Sequence, residues 1–191
     1  MREQLETSRA GEQHRGQKLA MLSDCLRAGI YRGIPELALE LSDTKWHDIE
    51  EANPYSFSHP DGSSFEVALF VSPGEIDAFA DGTPIEGFSD GRKVWVRQEA
   101  EGMMTSESII DLNTGHFAVN SPLGVLSYDG EAGSSVSPID GLSEDKVIDN
   151  TRGFVRGFVA STPEYQCPEI KPEIAIPAGA IAVAAQLEAT A

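Results

Sequence analysis

Four histidines are the side chains of this sequence best suited to metal binding: His14, His47, His59 and His116. Three of them have an aspartate nearby in the sequence, and imidazole with carboxylate is a ligand set that suits zinc or iron. None of the four stands in a HExxH or HxH spacing, which would place two ligands on one face of a helix or strand. We therefore interpret them as surface or half-buried polar residues, and we expect no metal and no cofactor.

The stretch "DLNTGH", from Asp111 to His116, partly matches a calcium-binding loop. Its glycine, Gly115, stands at the fifth position of the loop rather than the sixth, and no glutamate follows at the twelfth. Asn-Thr-Gly between two alternating segments is better explained as a hairpin turn, because Asn and Gly tolerate the positive φ that tight turns need.

Nucleophilic and phosphate-binding motifs are also missing from the sequence. The serines of "DGSSF" and "AGSSVS" lack the strand-to-helix setting of a nucleophile elbow, and neither Cys25 nor Cys167 has a nearby histidine. The glycine-rich stretch "DGEAGSSVSPIDG" is acidic, which is unsuitable for holding phosphate. With 31 acidic residues, some pair of carboxylates will always be close, so such a pair carries no information. We predict a protein that is not an enzyme and has no catalytic residues.

The charge of the chain is strongly negative, with 14 Lys and Arg against 31 Asp and Glu, a net charge of −17. Such a body repels phosphate backbones, so we expect no direct contact with nucleic acid. Residues 1–33 differ from the rest, since they hold six basic and four acidic side chains, which leaves −19 for the remainder. This segment could therefore dock on its own body, on a neighbouring copy or on an acidic partner.

The two cysteines form no disulfide framework, which makes a reducing compartment the default. The first 22 residues contain no apolar segment of the secretory type, and the longest apolar run, "AIPAGAIAVAAQL", is too short and alanine-rich to span a bilayer. We expect a location in the cytoplasm or in a virion, without contact with a membrane.

The first part of the chain reads as helical. Residues 1–16 are polar and interrupted by glycine, and they suggest an arm that is helical in part. Leu19, Leu22 and Leu26 then form an amphipathic stripe on a helix over 17–28, with Gly29 as its stop. A second helix can begin at Pro35, and a short one over 42–53 would point Trp46 and Ile49 inward.

From residue 54 the hydrophobic period changes from helical to two, which predicts strands. We predict them in "SSFEVALFVS" (63–72), "SDGRKVWVRQEAEG" (89–102), the hairpin "SESIIDLNTGHFAVNS" (106–121), "GVLSY" (124–128), "KVIDNTRGFVRGFVAST" (146–162) and the closing segment 173–187. The predicted fold class is α+β, mainly β, with a helical N-terminal segment followed by an antiparallel β-sandwich or barrel. The predicted divisions are a helical arm or subdomain (1–53), a β domain (54–165) and an extended C-terminal strand (166–191).

Two features indicate where this chain would contact a partner. Arg152 and Arg156 are basic residues in an acidic body, and a strand would place them on one face, where they anchor an acidic partner or form internal salt bridges. The C-terminal segment is alanine-rich with small side chains on both faces, so it either completes its own sheet or adds to that of a neighbour. The candidate interface residues are Leu19, Leu22, Leu26, Arg152, Arg156, Ile174, Ile176, Ile181 and Val183.

These features favour a structural subunit, held to other protein subunits through its N-terminal arm and C-terminal strand. We expect a homo-oligomer or a larger assembly, such as a phage or virus particle, in which the chain would be a capsid decoration or tail-connection component. One alternative is an acidic inhibitor or nucleic-acid mimic that binds a basic protein. Another is a small-molecule-binding β-barrel, which would need an apolar cavity or converging histidines.

Overall fold

The computed structural model describes residues 2–34, 46, 48–49, 54–130 and 133–162, with side chains from residue 11 onward. Two helices flank nine strands: α1 (Arg2–Gly33), β1 (Tyr55–Ser58), β2 (Ser64–Ser72), β3 (Ile76–Ala78), β4 (Pro84–Phe88), β5 (Gly91–Ala100), β6 (Met103–Asp111), β7 (Phe117–Ser121), β8 (Gly124–Tyr128), β9 (Ser134–Pro138) and α2 (Glu144–Ser161). Neither described helix is long and apolar enough to cross a membrane. The helix predicted from Pro35 and the C-terminal strand lie outside the described residues.

Seven strands form one antiparallel sheet in the order β1-β2-β5-β6-β7-β8-β9, so each strand lies beside its neighbour in the chain except where β3 and β4 intervene. These two strands form a separate two-stranded sheet, the β3–β4 hairpin. The predicted fold class, α+β and mainly β with a helix preceding an antiparallel sheet structure, is confirmed.

One face of the large sheet is covered by both helices. Alternation within each strand sends Phe65 and Val67 of β2 to this face, and Val94 and Val96 of β5 beside them. The rest of this cluster comes from β6, β7, β8 and the two helices, so helices and sheet share one hydrophobic core. The domain limits at 53 and 165 remain a prediction.

The opposite face of the sheet is covered by the β3–β4 hairpin. Phe70 and Trp95 on the sheet pack with Ile76 and Phe88 of the hairpin. Trp46 stacks on Phe70 with ring centroids 5.2 Å apart, and its indole nitrogen donates to the carbonyl of Ala78 at 2.9 Å. The inward orientation predicted for Trp46 and Ile49 is confirmed, since Trp46 is partly buried and Ile49 fully buried. The sheet is therefore the middle of three layers.

Helix α1 is longer than predicted, because the expected stop at Gly29 is wrong and the helix continues to Gly33. A Cβ on Gly29 would lie 3.0 Å from a ring carbon of Phe158, so this glycine allows α2 to approach closely. Its role is helix–helix packing rather than termination.

The strand predicted at 146–162 is wrong, because these residues form helix α2. Its buried positions include Val147, Thr151, Phe154 and Phe158, which recur every three to four residues along one helical face. Phe and Val at 154–155 and 158–159 satisfy this period while also giving the high β-propensity that suggested a strand. Glu144 and Asp145 in the first turn favour the helix through its dipole.

The remaining strand predictions are confirmed for 63–72, 89–102, the hairpin at 106–121 and "GVLSY". Four strands were not predicted. Strands β1, β3 and β4 have only three to five residues, too few for a clear alternation, and the serine-rich sequence of β9 was assigned to turns.

Candidate functional site

The predicted interface residues have three different locations. Leu19, Leu22 and Leu26 are buried in the core between α1, α2 and the sheet, so they are not accessible to a partner in this fold. Arg152 and Arg156 lie four residues apart on α2, Arg152 exposed and Arg156 half-buried, and not on a sheet face. The last four residues, Ile174, Ile176, Ile181 and Val183, lie outside the described residues.

The described histidines do not converge. His14 is exposed on α1, and His59 has its Nδ1 2.8 Å from the carboxylate of Asp61 in the β1–β2 turn. His116 stacks on Phe88 under the hairpin, with ring centroids 3.9 Å apart. Within the described part of the chain, no group of three His, Cys, Asp or Glu residues could hold a metal ion. His47 lies outside the described residues.

Asp111 and Lys93 form a buried ion pair that the sequence did not predict. The fully buried Lys93 donates from Nζ to Asp111 Oδ2 at 3.0 Å. Oδ1 of the same carboxylate accepts the backbone N–H groups of Asn113 and Thr114, which confirms the turn predicted at "DLNTGH". Burial alone would raise the pKa of Asp111, but the bonds from Thr114 and Lys93 outweigh it, and the net pKa is lowered.

A second buried carboxylate, Glu107, lies on the same face two rows away. It accepts a hydrogen bond from the indole of Trp95 at 3.2 Å and a longer one from the amide of Asn120 at 3.4 Å. Burial raises the pKa of Glu107, and these two bonds only partly oppose the effect. Asn120 also donates to Asp81 in the turn of the β3–β4 hairpin, at 3.1 Å. The pKa of Asp81 is lowered, because bonds from Thr83 and Asn120 outweigh the effect of burial.

Two carboxylates with opposite pKa shifts are a pattern found in acid–base catalysis, but here their contacts are structural. Glu66, Arg97, Glu107 and Asn120 are paired in register across four strands, and the Arg97 guanidinium lies over the Trp95 ring. Through the hydrogen bond from Asn120 to Asp81, this row of side chains connects the sheet to the hairpin. A sequence signal was present, because Lys93, Trp95 and Arg97 share one face of β5 by alternation.

Two surface clefts lie elsewhere. One, of about 350 Å³, runs along Trp46 and the segment 72–78 at the base of the hairpin. The other, of about 360 Å³, lies between the first half of α1 and the start of α2, and it is crossed by the Arg15–Glu144 ion pair. The buried carboxylates Glu107 and Asp111 line neither of these two clefts.

The two ends of the described sheet differ in how they could meet another strand. At one end, β1 has the sequence Tyr-Ser-Phe-Ser, without a charge or a proline, and Tyr55 is 45% exposed. At the other end, β9 closes on Pro138, which lacks the N–H that a further strand would need. Edge strands are usually protected by charges, prolines or bulges, so the composition of β1 is unusual for an exposed edge.

The last described residue of the chain, Thr162, lies close to the ring of Phe57 on β1. A Cβ on Gly33 would lie 2.9 Å from a ring carbon of Phe57 and 3.0 Å from Cγ2 of Thr162. Thr162 and the Phe57 ring therefore both lie close to Gly33. Arg32 holds this end of α2, since its guanidinium donates to the carbonyl of Val159 at 3.0 Å.

The β3–β4 hairpin and its flanks carry much of the negative charge of the surface. Residues 73–90 contain five acidic side chains, no lysine and no arginine, and all five are exposed: Glu75, Asp77, Asp81, Glu86 and Asp90. Other exposed carboxylates lie on the sheet end and on α2, for example Glu101 and Asp149. Among the described residues, exposed carboxylates therefore cluster on the hairpin but are not confined to it.

Comparisons with protein-family models, with curated proteins and with solved structures found no match for this chain. The arguments that follow rest on the residues and geometry described above.

Proposed function

We propose that this chain is a non-enzymatic structural subunit of a protein assembly, joined to other subunits through its C-terminal segment. The observation that carries the proposal is that both faces of the sheet are already covered, one by α1 and α2 and the other by the hairpin. Residues 174–187 are fourteen positions without a charge. An uncharged segment of this length favours burial against another surface.

The energetic argument concerns Ile174, Ile176, Ile181 and Val183. Burying an aliphatic side chain of this size stabilises by roughly 1.5–3 kcal/mol relative to leaving it in water. Such a sequence is typical of a segment that contacts another surface, because large contiguous apolar patches are rarely left exposed. Because both faces of the sheet are covered, this segment would bind at a sheet edge or on a neighbouring molecule.

The polar groups support a structural role in place of catalysis. Lys93 donates a hydrogen bond to Asp111, and Glu107 accepts one from Trp95. Both bonds lie in the layer between the hairpin and the sheet. Groups used in catalysis need access to a substrate, and these groups line neither of the two clefts described above. The same contacts give a rigid body to which a partner can bind.

A phage or virus particle is the assembly that we infer, with the chain as a capsid decoration or tail-connection component. Symmetric particles are built from many copies of a compact body that carries an arm for its neighbour. A charge of −17 keeps such bodies soluble and apart except where their contact surfaces are uncharged. In this proposal the protein would be located in the virion.

The two alternatives have weaker support. The acidic hairpin favours an inhibitor of a basic protein, but exposed carboxylates such as Glu101 and Asp149 lie elsewhere on the surface. A small-molecule-binding barrel would need an enclosed cavity, whereas the described sheet has two separate ends and its faces are filled by side chains.

The test is the solution mass of the full chain by light scattering. We expect the wild type to exceed 20.5 kDa by a whole multiple. The full-length variant Ile176→Asp/Val183→Asp should be a folded monomer that still unfolds in one cooperative transition. A control with the same added charge, Gln166→Asp/Thr190→Asp, should assemble like the wild type. A monomeric wild type, or an Ile176→Asp/Val183→Asp variant that unfolds, contradicts the proposal, because the segment would then belong to the protein's own core.

A further inference from the structure

The first step concerns strand β1, which could accept a further strand at the edge of the sheet. Strand β1 pairs with β2 in register, from Tyr55 opposite Val67 to Ser58 opposite Ser64. Its four residues have no side-chain charge to repel a further strand. Added strands bind mainly through backbone hydrogen bonds, so a short edge of this composition is a suitable acceptor. Pro138 makes the β9 end a poorer one.

The second step concerns the segment that would be added. Residues 180–187, "AIAVAAQL", are eight positions without charge, glycine or proline. Ile181 and Val183 fall on one face of a strand and the alanines between them on the other. This alternation suits a strand at an edge, where one face packs and the other contacts small side chains.

The third step decides between the chain's own edge and that of a second copy. Thr162 already lies beside β1, so a short return would be enough to reach it. The intervening residues 163–179 include four prolines, at 163, 168, 172 and 177. Proline-rich tethers are extended, at about 3.1 Å per residue, and seventeen residues then reach about 50 Å. Seven strands spaced about 4.8 Å apart span only some 30 Å, so an extended tether of this length would carry the segment beyond its own sheet to a second copy.

Charge also favours contact between β1 of one copy and residues 174–187 of another. Two copies with a net charge of −17 repel each other over most of their surfaces. Neither β1 nor residues 174–187 carries a charge, so contact between them brings no carboxylates together. The geometry points to strand β1 as the acceptor for residues 180–187 of a second copy of this chain, an inference that rests on the proposed function. Reciprocal exchange would give a closed two-fold dimer, and one-way exchange would give a ring or filament.

The experiment is disulfide trapping between two different full-length chains. One chain carries Ser56→Cys on β1, and the other carries Ala180→Cys, Ala182→Cys or Ala184→Cys, which together allow for a shift in register. Both contain Cys167→Ser, while Cys25 is buried and stays. The chains bear tags of different size and are co-expressed, so only a link between copies gives the mixed band on a non-reducing gel.

The matched control places the cysteine at Ser137. This residue is an exposed serine in the same row of the sheet as Ser56, but on β9 at the other end. We expect the mixed band with Ser56→Cys for at least one tail position, at no less than tenfold the yield with Ser137→Cys.

Three results would overturn the inference. Equal or greater trapping at Ser137→Cys would assign the wrong edge. A link that forms only when Ser56→Cys and the tail cysteine are in the same chain would show that the segment returns to its own β1. If no link forms but the mass is still at least twice 20.5 kDa, the contact with β1 would be refuted and the proposed assembly would stand. A monomeric mass would refute both.

Discussion

Replacing Asp111 by Asn tests the role of the buried ion pair most sharply. Asn keeps an oxygen that can accept the backbone N–H groups of Asn113 and Thr114, so the turn is preserved. It removes the negative charge 3.0 Å from Nζ of Lys93, whose side chain is fully buried. The variant therefore isolates one change, which is an uncompensated buried charge.

The expected loss follows from leaving Lys93 buried without its partner. Breaking a buried ion pair by removing one member costs about 3–5 kcal/mol. We expect Asp111→Asn to lower the free energy of unfolding by about 3–5 kcal/mol at pH 7.

The assay is urea unfolding followed by tryptophan fluorescence, at one protein concentration so that assembly does not alter the comparison. The double variant Lys93→Met/Asp111→Asn removes both charges and should recover more than half of the loss. The control is Glu144→Gln, which breaks the Arg15 ion pair on the surface, where the side chains are 31% and 54% exposed. It should cost less than about 1 kcal/mol. A loss below 1 kcal/mol in Asp111→Asn, or no recovery in the double variant, would refute the reasoning.

Two further predictions concern Glu107 and Gly29. Because burial raises the pKa of Glu107 above its ordinary 4.5, the folded protein holds this proton more tightly than the unfolded chain, and stability is lost as the pH rises from 4.5 through the folded pKa. Glu107→Gln should therefore gain Tm relative to the wild type between pH 4 and pH 7; a constant difference would contradict this. Gly29→Leu should destabilise by about 1–3 kcal/mol, because its side chain would meet Phe158, whereas Gly16→Leu has open space and should cost nothing. Equal urea midpoints for the two leucine variants would refute the packing role of Gly29.

The alternation of apolar residues in the sequence was sufficient to predict the central strands, because the two faces of each strand pack against different layers. In β2, Phe65 and Val67 pack under the helices while Phe70 packs under the hairpin, and the pattern of two survives in the sequence. The same reasoning failed for α2. Phe154, Val155, Phe158 and Val159 fit either period, and the helical one is recognised only by including Val147 and Thr151 further back.

The buried charges and the open edge could not be predicted because both depend on topology. Lys93 and Asp111 are eighteen residues apart and meet only through the register of β5 with β6. Tyr55 lies at an edge only because β1 pairs with β2 alone among the described strands. The sequence alone shows that the C-terminal segment is apolar. That β1 could accept it follows only from the structure, in which Thr162 lies close to Phe57.

The most direct test of the central claim is amide hydrogen exchange at Tyr55–Ser58, measured in the full chain over a range of protein concentrations. If copies join by adding their C-terminal strands to β1, these amides should be protected at high concentration and lose that protection on dilution. In Ile176→Asp/Val183→Asp they should exchange fast at every concentration. Protection that is independent of concentration and unchanged in the variant would contradict the account.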